Sequence, residues 1–336
     1  MFRVAIAGAG GMAHMHASCY TANPNACVVG VYDKRPEAAA EMAAANGATA
    51  YASFAEMLDA ARPDVVDVCV PTPWHVDYVV AAAEAGLKGI VVEKPMGRSV
   101  ADCERMAAAC AASGTPLFVA HVLRFFPEFA EAKRQVDAGA VGNVVTVRTR
   151  RGGSFPRAWE NWYGKPDWSG GVILDLVIHD LDWLRWTFGD VERVFAKGIS
   201  PKLPPDSEVT SDYALITLKF KSGLIGHVEA TWADPGGFKV GFEIAGDAGL
   251  LESNFNQPAG VPFMAALQRG AEAGAAVAVP ESPTAVNPYY AELDHFLTCL
   301  ATGATPSITP RDGCEAVRIA LAAFESAQTG ESVVLP

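Results

Sequence analysis

The sequence has no apolar run long enough to cross a bilayer, so no membrane-spanning segment is expected. Its seven cysteines are scattered, with no Cys-x-x-Cys pair. That argues against zinc ligation or a disulfide framework and for buried free thiols. Positive charge is in deficit: 26 Lys and Arg stand against 38 Asp and Glu, a formal net charge of −12. A nucleic acid or an anionic membrane is therefore not the expected partner. The opening segment MFRVAIAGAG has no basic stretch before its apolar residues and runs directly into glycines. It reads as a first strand rather than a signal peptide, which points to a cytoplasmic protein. No internal repeat is found.

What is present is ordinary for a folded globular chain: 50% hydrophobic and 19% charged residues over 336 positions. That length favours two domains over one core. Phe2 to Ala7 reads as a buried strand and leads into Gly8-Ala9-Gly10-Gly11-Met12-Ala13, a G-x-G-x-x-A pattern. A helix-like segment follows, then a second strand ending at Asp33, 20 residues after Ala13. Gly8 suits a tight turn, Gly10 lets backbone approach a pyrophosphate, and Ala13 keeps helix and strand close. Unpaired N–H groups at the helix start, Gly11 and Met12 among them, suit phosphates. Asp33 would accept hydrogen bonds from ribose hydroxyls and repel a 2′-phosphate, favouring NAD. Lys34 and Arg35 leave NADP open, although solvated loop charges explain them as well.

Strands and Ala-rich helices keep alternating to about residue 120, the pattern of a doubly wound parallel α/β sheet. Ligands bind beyond the carboxyl ends of such strands. Asp33, Thr72-Pro73 and Glu93-Lys94-Pro95 stand at such ends. A Lys at that edge can hydrogen-bond an alcohol oxygen and stabilise alkoxide character. A surface ion pair at a strand end is the bland alternative, against which the apolar strand GIVV and the ligand-binding edge both argue.

From about Val144 the pattern changes. A strand at 144–150 is followed by the aromatic stretch FPRAWENWYGKPDWSGG and a helix, then by strands with short links, which read as an antiparallel sheet. Gln257 to Pro283 reads as an irregular excursion, and two helices close the chain. Trp159, Trp162, Tyr163 and Trp168 offer aromatic faces that could line a pocket, and Arg157, Asn161 and Lys165 offer polar groups to a ligand. Anchoring of the loop, or a subunit contact, accounts for the aromatics as well. The helix GGVILDLVIHDLDWLRW is apolar yet carries four polar residues. At 100° per residue Asp175, His179 and Asp182 share one face and Asp180 points elsewhere. A solvated face, a three-ligand metal site and an acid–base site all fit this spacing. The apolar surroundings disfavour the first, and no other sequence feature supports a metal.

These motifs, in order, resemble the glucose-fructose oxidoreductase/inositol dehydrogenase (Gfo/Idh/MocA) family along nearly the whole chain. The carriers are Gly8-x-Gly10-x-x-Ala13 with Asp33, Thr72-Pro73 with His75, Glu93-Lys94-Pro95, RFFPEF at 124–129, SGGVILDLVIHDLD, YYAELDHF and the closing helix. The resemblance implies a Rossmann domain over 1–122 and an α/β domain over 123–336 with a large open, mostly antiparallel sheet. The final helices are expected to pack back on the Rossmann domain. It also implies hydride transfer between NAD (or NADP) and an alcohol of a sugar or cyclitol. Lys94, Asp175 and His179 would be the catalytic groups, with no metal. Cofactor contacts would come from Gly8, Gly10 to Ala13, Asp33 to Arg35, Thr72, Pro73, His75 and Glu93 to Pro95. Substrate contacts would come from Arg124, Arg157, Trp159, Trp162, Trp168, Asp175 and His179. Asp182 matches a position that is more structural. Val177 replaces the glycine that many members have between the Asp and the His. A homodimer or homotetramer is expected. A lyase or hydrolase that oxidises its sugar transiently, and a non-catalytic NAD-binding regulator, remain alternatives.

Overall fold

The computed structural model describes residues 1–200, 204, 206–234, 238–253, 264–265, 280–281 and 287–336. The chain divides into two units, Met1–Val122 with Pro288–Cys314, and Leu123–Asn287 with Glu315–Pro336. Among the described residues no helix is long and apolar enough to cross a membrane.

The first unit is built on six parallel strands: β1 (Phe2–Ala7), β2 (Ala26–Tyr32), β3 (Thr49–Ala50), β4 (Val65–Val68), β5 (Gly89–Glu93) and β6 (Leu117–Ala120). Their spatial order is β3-β2-β1-β4-β5-β6, the doubly wound order, which reverses between β1 and β4. The strands are short and β-branched, and β4, β5 and β6 are buried at every position, as parallel strands covered on both faces must be. The helices are α1 (Gly11–Ala22), α2 (Pro36–Ala45), α3 (Phe54–Ala61), α4 (His75–Glu84) and α5 (Val100–Ser113). Ser99 caps α5 by accepting from the Asp102 N–H at 3.0 Å. The helix Pro288–Thr302 belongs to this unit, with Phe296 stacked on Phe118 at 4.8 Å between centroids.

The second unit opens with α6 (Pro127–Asp137) and β7 (Val144–Gly152), continues through the short α7 (Pro166–Ser169) to a π-helical turn at Val172–Leu176, and enters α8 (Ile178–Phe188). Strands β8 (Val191–Ile199), β9 (Tyr213–Phe220), β10 (Ile225–Thr231), β11 (Lys239–Gly246) and β12 (Leu250–Ser253) follow. Most of the predicted irregular segment at 257–283 lies outside the described residues. Within it β13 (Met264–Ala265) pairs with β14 (Pro280–Glu281). The helices α9 (Pro288–Thr302) and α10 (Pro310–Thr329) and the strand β15 (Val333–Val334) end the chain. The large sheet has the order β12-β11-β7-β10-β9-β8-β15. Every pair in it is antiparallel except β7 with β10, which run parallel. The short links seen in sequence do not reveal that pair, because β7 and β10 are distant along the chain.

Candidate active site

In the first unit the glycine turn is fixed by two separate constraints. Gly8 has φ +107°, and a Cβ there would lie 2.5 Å from the carbonyl oxygen of Cys69, so only glycine fits. Its N–H donates to Tyr32 at 2.7 Å. Ala13 is wholly buried. These two residues shape the turn. At Gly10 and Gly11, by contrast, a Cβ would meet nothing within 4 Å. The protein's own packing does not demand glycine there, so the open backbone is suited to something outside the chain. α1 begins at this point with no side-chain cap and no acid in its first turn. Its first N–H groups are therefore available to an anion.

Asp33 sits just beyond β2 and holds this turn from the side. One carboxylate oxygen accepts the Ala9 N–H at 2.7 Å, and the other accepts the backbone N–H and Nε of Arg35 at 2.8 and 3.0 Å. Burial alone would raise its pKa. The hydrogen bonds from Arg35 and Ala9 outweigh burial and hold the carboxyl below the usual range. Asp33 is thus kept as an ionised acceptor. Arg35 is turned onto Asp33, and Lys34 lies over the Trp74 ring at 4.0 Å. Ionised Asp33, open glycines and an uncapped helix start fit the ribose and pyrophosphate of a dinucleotide.

The strand ends β4 and β5 supply the rest of this edge. Thr72 is buried in a short 3-10 turn, Thr72–Trp74. His75, expected to touch cofactor, is instead wholly enclosed. Its Nε2 lies 2.8 Å from the Val70 carbonyl and its Nδ1 3.0 Å from that of Pro95. Burial holds its pKa below the ordinary value. A neutral ring donates from one nitrogen only, so His75 bonds one of these carbonyls and packs against the other, where the Thr72-Pro73 and Glu93-Lys94-Pro95 loops meet. Glu93 is buried and accepts the Lys94 backbone N–H at 2.8 Å. Lys94 is half-buried, and the Lys94–Pro95 peptide is cis.

In the second unit the acids of the apolar helix separate by partner. Asp182 is buried and accepts Nε and Nη2 of Arg124 at 2.8 and 2.6 Å. Arg124 is itself buried, so it holds Asp182, and its expected place among the substrate contacts is replaced by this fork. Asp180 is buried and accepts Nε of Arg151 at 2.6 Å. The regular 100° spacing does not survive, because the Val177 N–H bonds the Val172 carbonyl across a π turn. Asp175 lies within that turn, buried, and Gly170 and Gly171 before it have φ +73° and +66°. From Val177 to Leu184 every residue is buried except His179. A solvated face is therefore ruled out.

The aromatic stretch is a packed assembly. Trp162 stacks on buried Tyr163 at 3.9 Å between centroids. Lys165 lies over the Trp168 ring at 4.0 Å and 3.2 Å from Glu160. Asn161 donates to Asp206. Trp159 and Trp168 keep part of their surface in solvent, and Arg157 is exposed. The loop is held by Glu160 and Asn161, both with left-handed backbone at φ 52° and 48°, a strain of the kind often stored at ligand sites.

Comparison with known proteins assigns both halves. A family model described as an oxidoreductase family with NAD-binding Rossmann fold matches residues 2–121, and the GFO/IDH/MocA C-terminal domain model matches residues 129–252. The chain belongs to the GFO/IDH/MocA family of oxidoreductases. A scyllo-inositol 2-dehydrogenase (NAD(+)) of Bacillus subtilis strain 168 is 30% identical over 99% of this chain and 96% of its own. The structure of GenD2 from gentamicin A biosynthesis, in complex with NAD, has a TM-score of 0.88 at 26% identity, covering 100% and 96% of the two chains. A myo-inositol dehydrogenase from Corynebacterium glutamicum has a TM-score of 0.83 at 27% identity, covering 100% and 99%. As a member of this family the chain carries an NAD-binding Rossmann domain, and the turn from Gly8 to Asp33 falls inside it.

The sequence reading missed His16 on α1, Asp67 on β4 and Cys69 just after it. His16 Nδ1 is 2.9 Å from Asp67 and 3.5 Å from the Cys69 sulfur. The signal available was a histidine inside an apolar helix and an aspartate inside an apolar strand.

Proposed function

We propose that this protein is an NAD-dependent dehydrogenase that oxidises a secondary alcohol of a cyclitol or sugar, with His179 as acid–base and Asp175 and Lys94 assisting. The observation that carries the reading is His179, the one partly exposed residue between Val177 and Leu184 on a helix whose neighbouring acids are held by arginines. An imidazole suits proton exchange with an alcohol near neutral pH, a role that contributes about 10²–10⁴ in rate. Asp175, at the π turn just before it, orients the ring or a hydroxyl. Lys94 stabilises negative charge on the reacting oxygen. Bound nicotinamide supplies the hydride acceptor. Gly10, Gly11 and Met12 would hold its pyrophosphate and Asp33 its ribose. The ionised state of Asp33 favours NAD over NADP. Trp159, Trp168 and exposed Arg157 are the proposed substrate contacts, and the inositol dehydrogenases among the relatives support a polyol.

Incubation with NAD or NADP and a panel of cyclitols, aldoses and sugar acids, followed by nicotinamide absorbance, tests this. Turnover of one polyol class is expected, with both His179→Ala and Lys94→Ala losing it. Bound NAD without net NADH formation would shift the assignment to a transient-oxidation enzyme or a regulator.

We also propose that the protein is a cytoplasmic homodimer or homotetramer packed through its large sheet. Strand register places exposed Phe195, Ile199, Leu215, Leu250 and Val334 on one face of that sheet. The face is mixed, with Leu215 paired opposite Lys197 and Val334 opposite Arg193; apolar side chains set among charges in this way suit a subunit contact. Light scattering at micromolar concentration should give a multiple of 35.4 kDa; a monomer would refute the assembly.

A further inference from the structure

The first unit buries a group of ionisable side chains directly beneath the dinucleotide edge. His16 is fully buried on α1, with Nδ1 2.9 Å from Asp67 of β4 and Nε2 3.3 Å from Glu93 at the end of β5. The second distance is that of an ion pair. Glu93 uses its other oxygen to accept the Lys94 backbone N–H at 2.8 Å. Cys69 donates to Asp67 at 3.3 Å. The Tyr289 ring lies 6.5 Å from the imidazole. Tyr20 and Cys19 on α1, and the buried Glu292, complete the titratable surroundings.

A carboxylate buried among Val residues is costly unless it is paired. Asp67 and Glu93 lie on strands separated from α1 in sequence, and one imidazole stands between them. Removing it would leave Glu93 without its ion-pair partner and Asp67 with only the Cys69 thiol. The Glu93 side chain would then turn from the position in which it fixes the Lys94 backbone.

We infer that His16 is a positioning residue: held between Asp67 and Glu93, it fixes the Glu93 carboxylate and through it the presentation of Lys94 at the end of β5. The inference rests on the reading of Lys94 as a catalytic group. It links the helix that receives the dinucleotide to the loop that carries the lysine, so the two are set in one geometry. His16 is placed for this by a hydrogen bond from Nδ1 to Asp67 and an ion-pair contact of Nε2 with Glu93 that lacks hydrogen-bond geometry. Burial opposes its charge, but the Asp67 carboxylate beside it outweighs burial and raises the pKa well above the ordinary value.

The test uses the full-length protein and its His16→Gln, Glu93→Gln and Lys94→Ala variants, with Ser18→Ala on the exposed side of α1 as a control. NAD affinity by fluorescence titration, kcat and KM are measured for each. A ¹³C-dimethyl-lysine NMR signal for Lys94, assigned by its loss in Lys94→Arg, supplies a readout independent of turnover. His16→Gln should keep NAD affinity and KM, move the Lys94 signal, and lower kcat by about tenfold or more, the effect of one charge-assisted hydrogen bond. In the Lys94→Ala background the same substitution should not lower the residual kcat, followed at high enzyme concentration, any further, because it acts through Lys94. Glu93→Gln should reproduce the signal shift if His16→Gln does not fold. An unchanged Lys94 signal, or full additivity with Lys94→Ala, overturns the inference. Full activity in Lys94→Ala overturns the catalytic reading of the lysine instead, and the two failures are separable.

Discussion

Both units bury carboxylates, but they neutralise them with different cations. In the parallel-sheet unit Asp67 and Glu93 face the imidazole of His16. In the mixed-sheet unit Asp180 and Asp182 face the guanidinium groups of Arg151 and Arg124. A guanidinium stays charged at any pH the protein survives, so its acids are held permanently. An imidazole carries its charge only below its pKa, so its acids are held conditionally. The helix beside Asp175 and His179 is thus anchored by fixed charge. The strand ends beneath the dinucleotide edge are anchored by a group that titrates.

The largest expected effect comes from breaking a fixed pair. Arg124→Met leaves Asp182 buried and uncompensated and should destabilise the protein by about 3–5 kcal/mol. Urea unfolding of the single variant and of Arg124→Met with Asp182→Leu would measure it. The double variant should recover most of the loss, and a double variant as unstable as the single one would show that volume rather than charge decides.

A smaller and pH-dependent loss is expected of His16→Gln, about 1.5–3 kcal/mol for a charged hydrogen bond. The folded-state pKa of His16 is raised. Its stabilisation is therefore complete below the unfolded value of about 6.5 and fades as pH rises through the folded value. Melting curves of the wild type and the variant should diverge most near pH 6 and converge at alkaline pH. The deficit of Arg124→Met should not shrink over the same interval, because an unpaired buried carboxylate is penalised at least as much as pH rises. If both deficits run parallel with pH, the distinction between conditional and fixed anchoring is wrong.

The smallest effect is a neutral control. Ser53 caps α3 by accepting the Glu56 N–H at 3.1 Å, while Glu56 accepts the Ala52 N–H at 3.1 Å. Ser53→Ala should cost about 1 kcal/mol, equally at pH 6 and at pH 9 by thermal melts, since no histidine is involved.

That helix also shows how far local signals reach. Ser53-Phe54-Ala55-Glu56 is a capping box in plain sequence, and Phe54, Met57, Leu58 and Ala61 follow at the helical period, yet only Met57 and Ala61 of these are buried, a depth that the local pattern does not report. The glycine turn is the opposite case. Gly8 must adopt φ +107° against a backbone carbonyl, and that demand is written into the chain itself as Gly8-x-Gly10-x-x-Ala13. His75 was legible as a residue of the edge but not as a ring enclosed where two loops meet, because the groups beside it at Val70 and Pro95 are carbonyls, which any residue supplies.

The apolar helix marks the boundary most clearly. Its composition alone requires that the polar residues have partners, since buried carboxylates do not stand alone. Which partner each takes was settled by residues 29 and 58 positions away, Arg151 for Asp180 and Arg124 for Asp182. The π turn at Val172–Leu176 then displaced Asp175 from the regular spacing. By itself the sequence determined the alternation of strand and helix, the glycine turn and the acid after β2, because these depend on local backbone geometry and short-range periodicity. Only the tertiary structure decided the parallel β7–β10 pair, the His16 cluster and the charge partners of α8, because each depends on which distant segments meet where water is excluded.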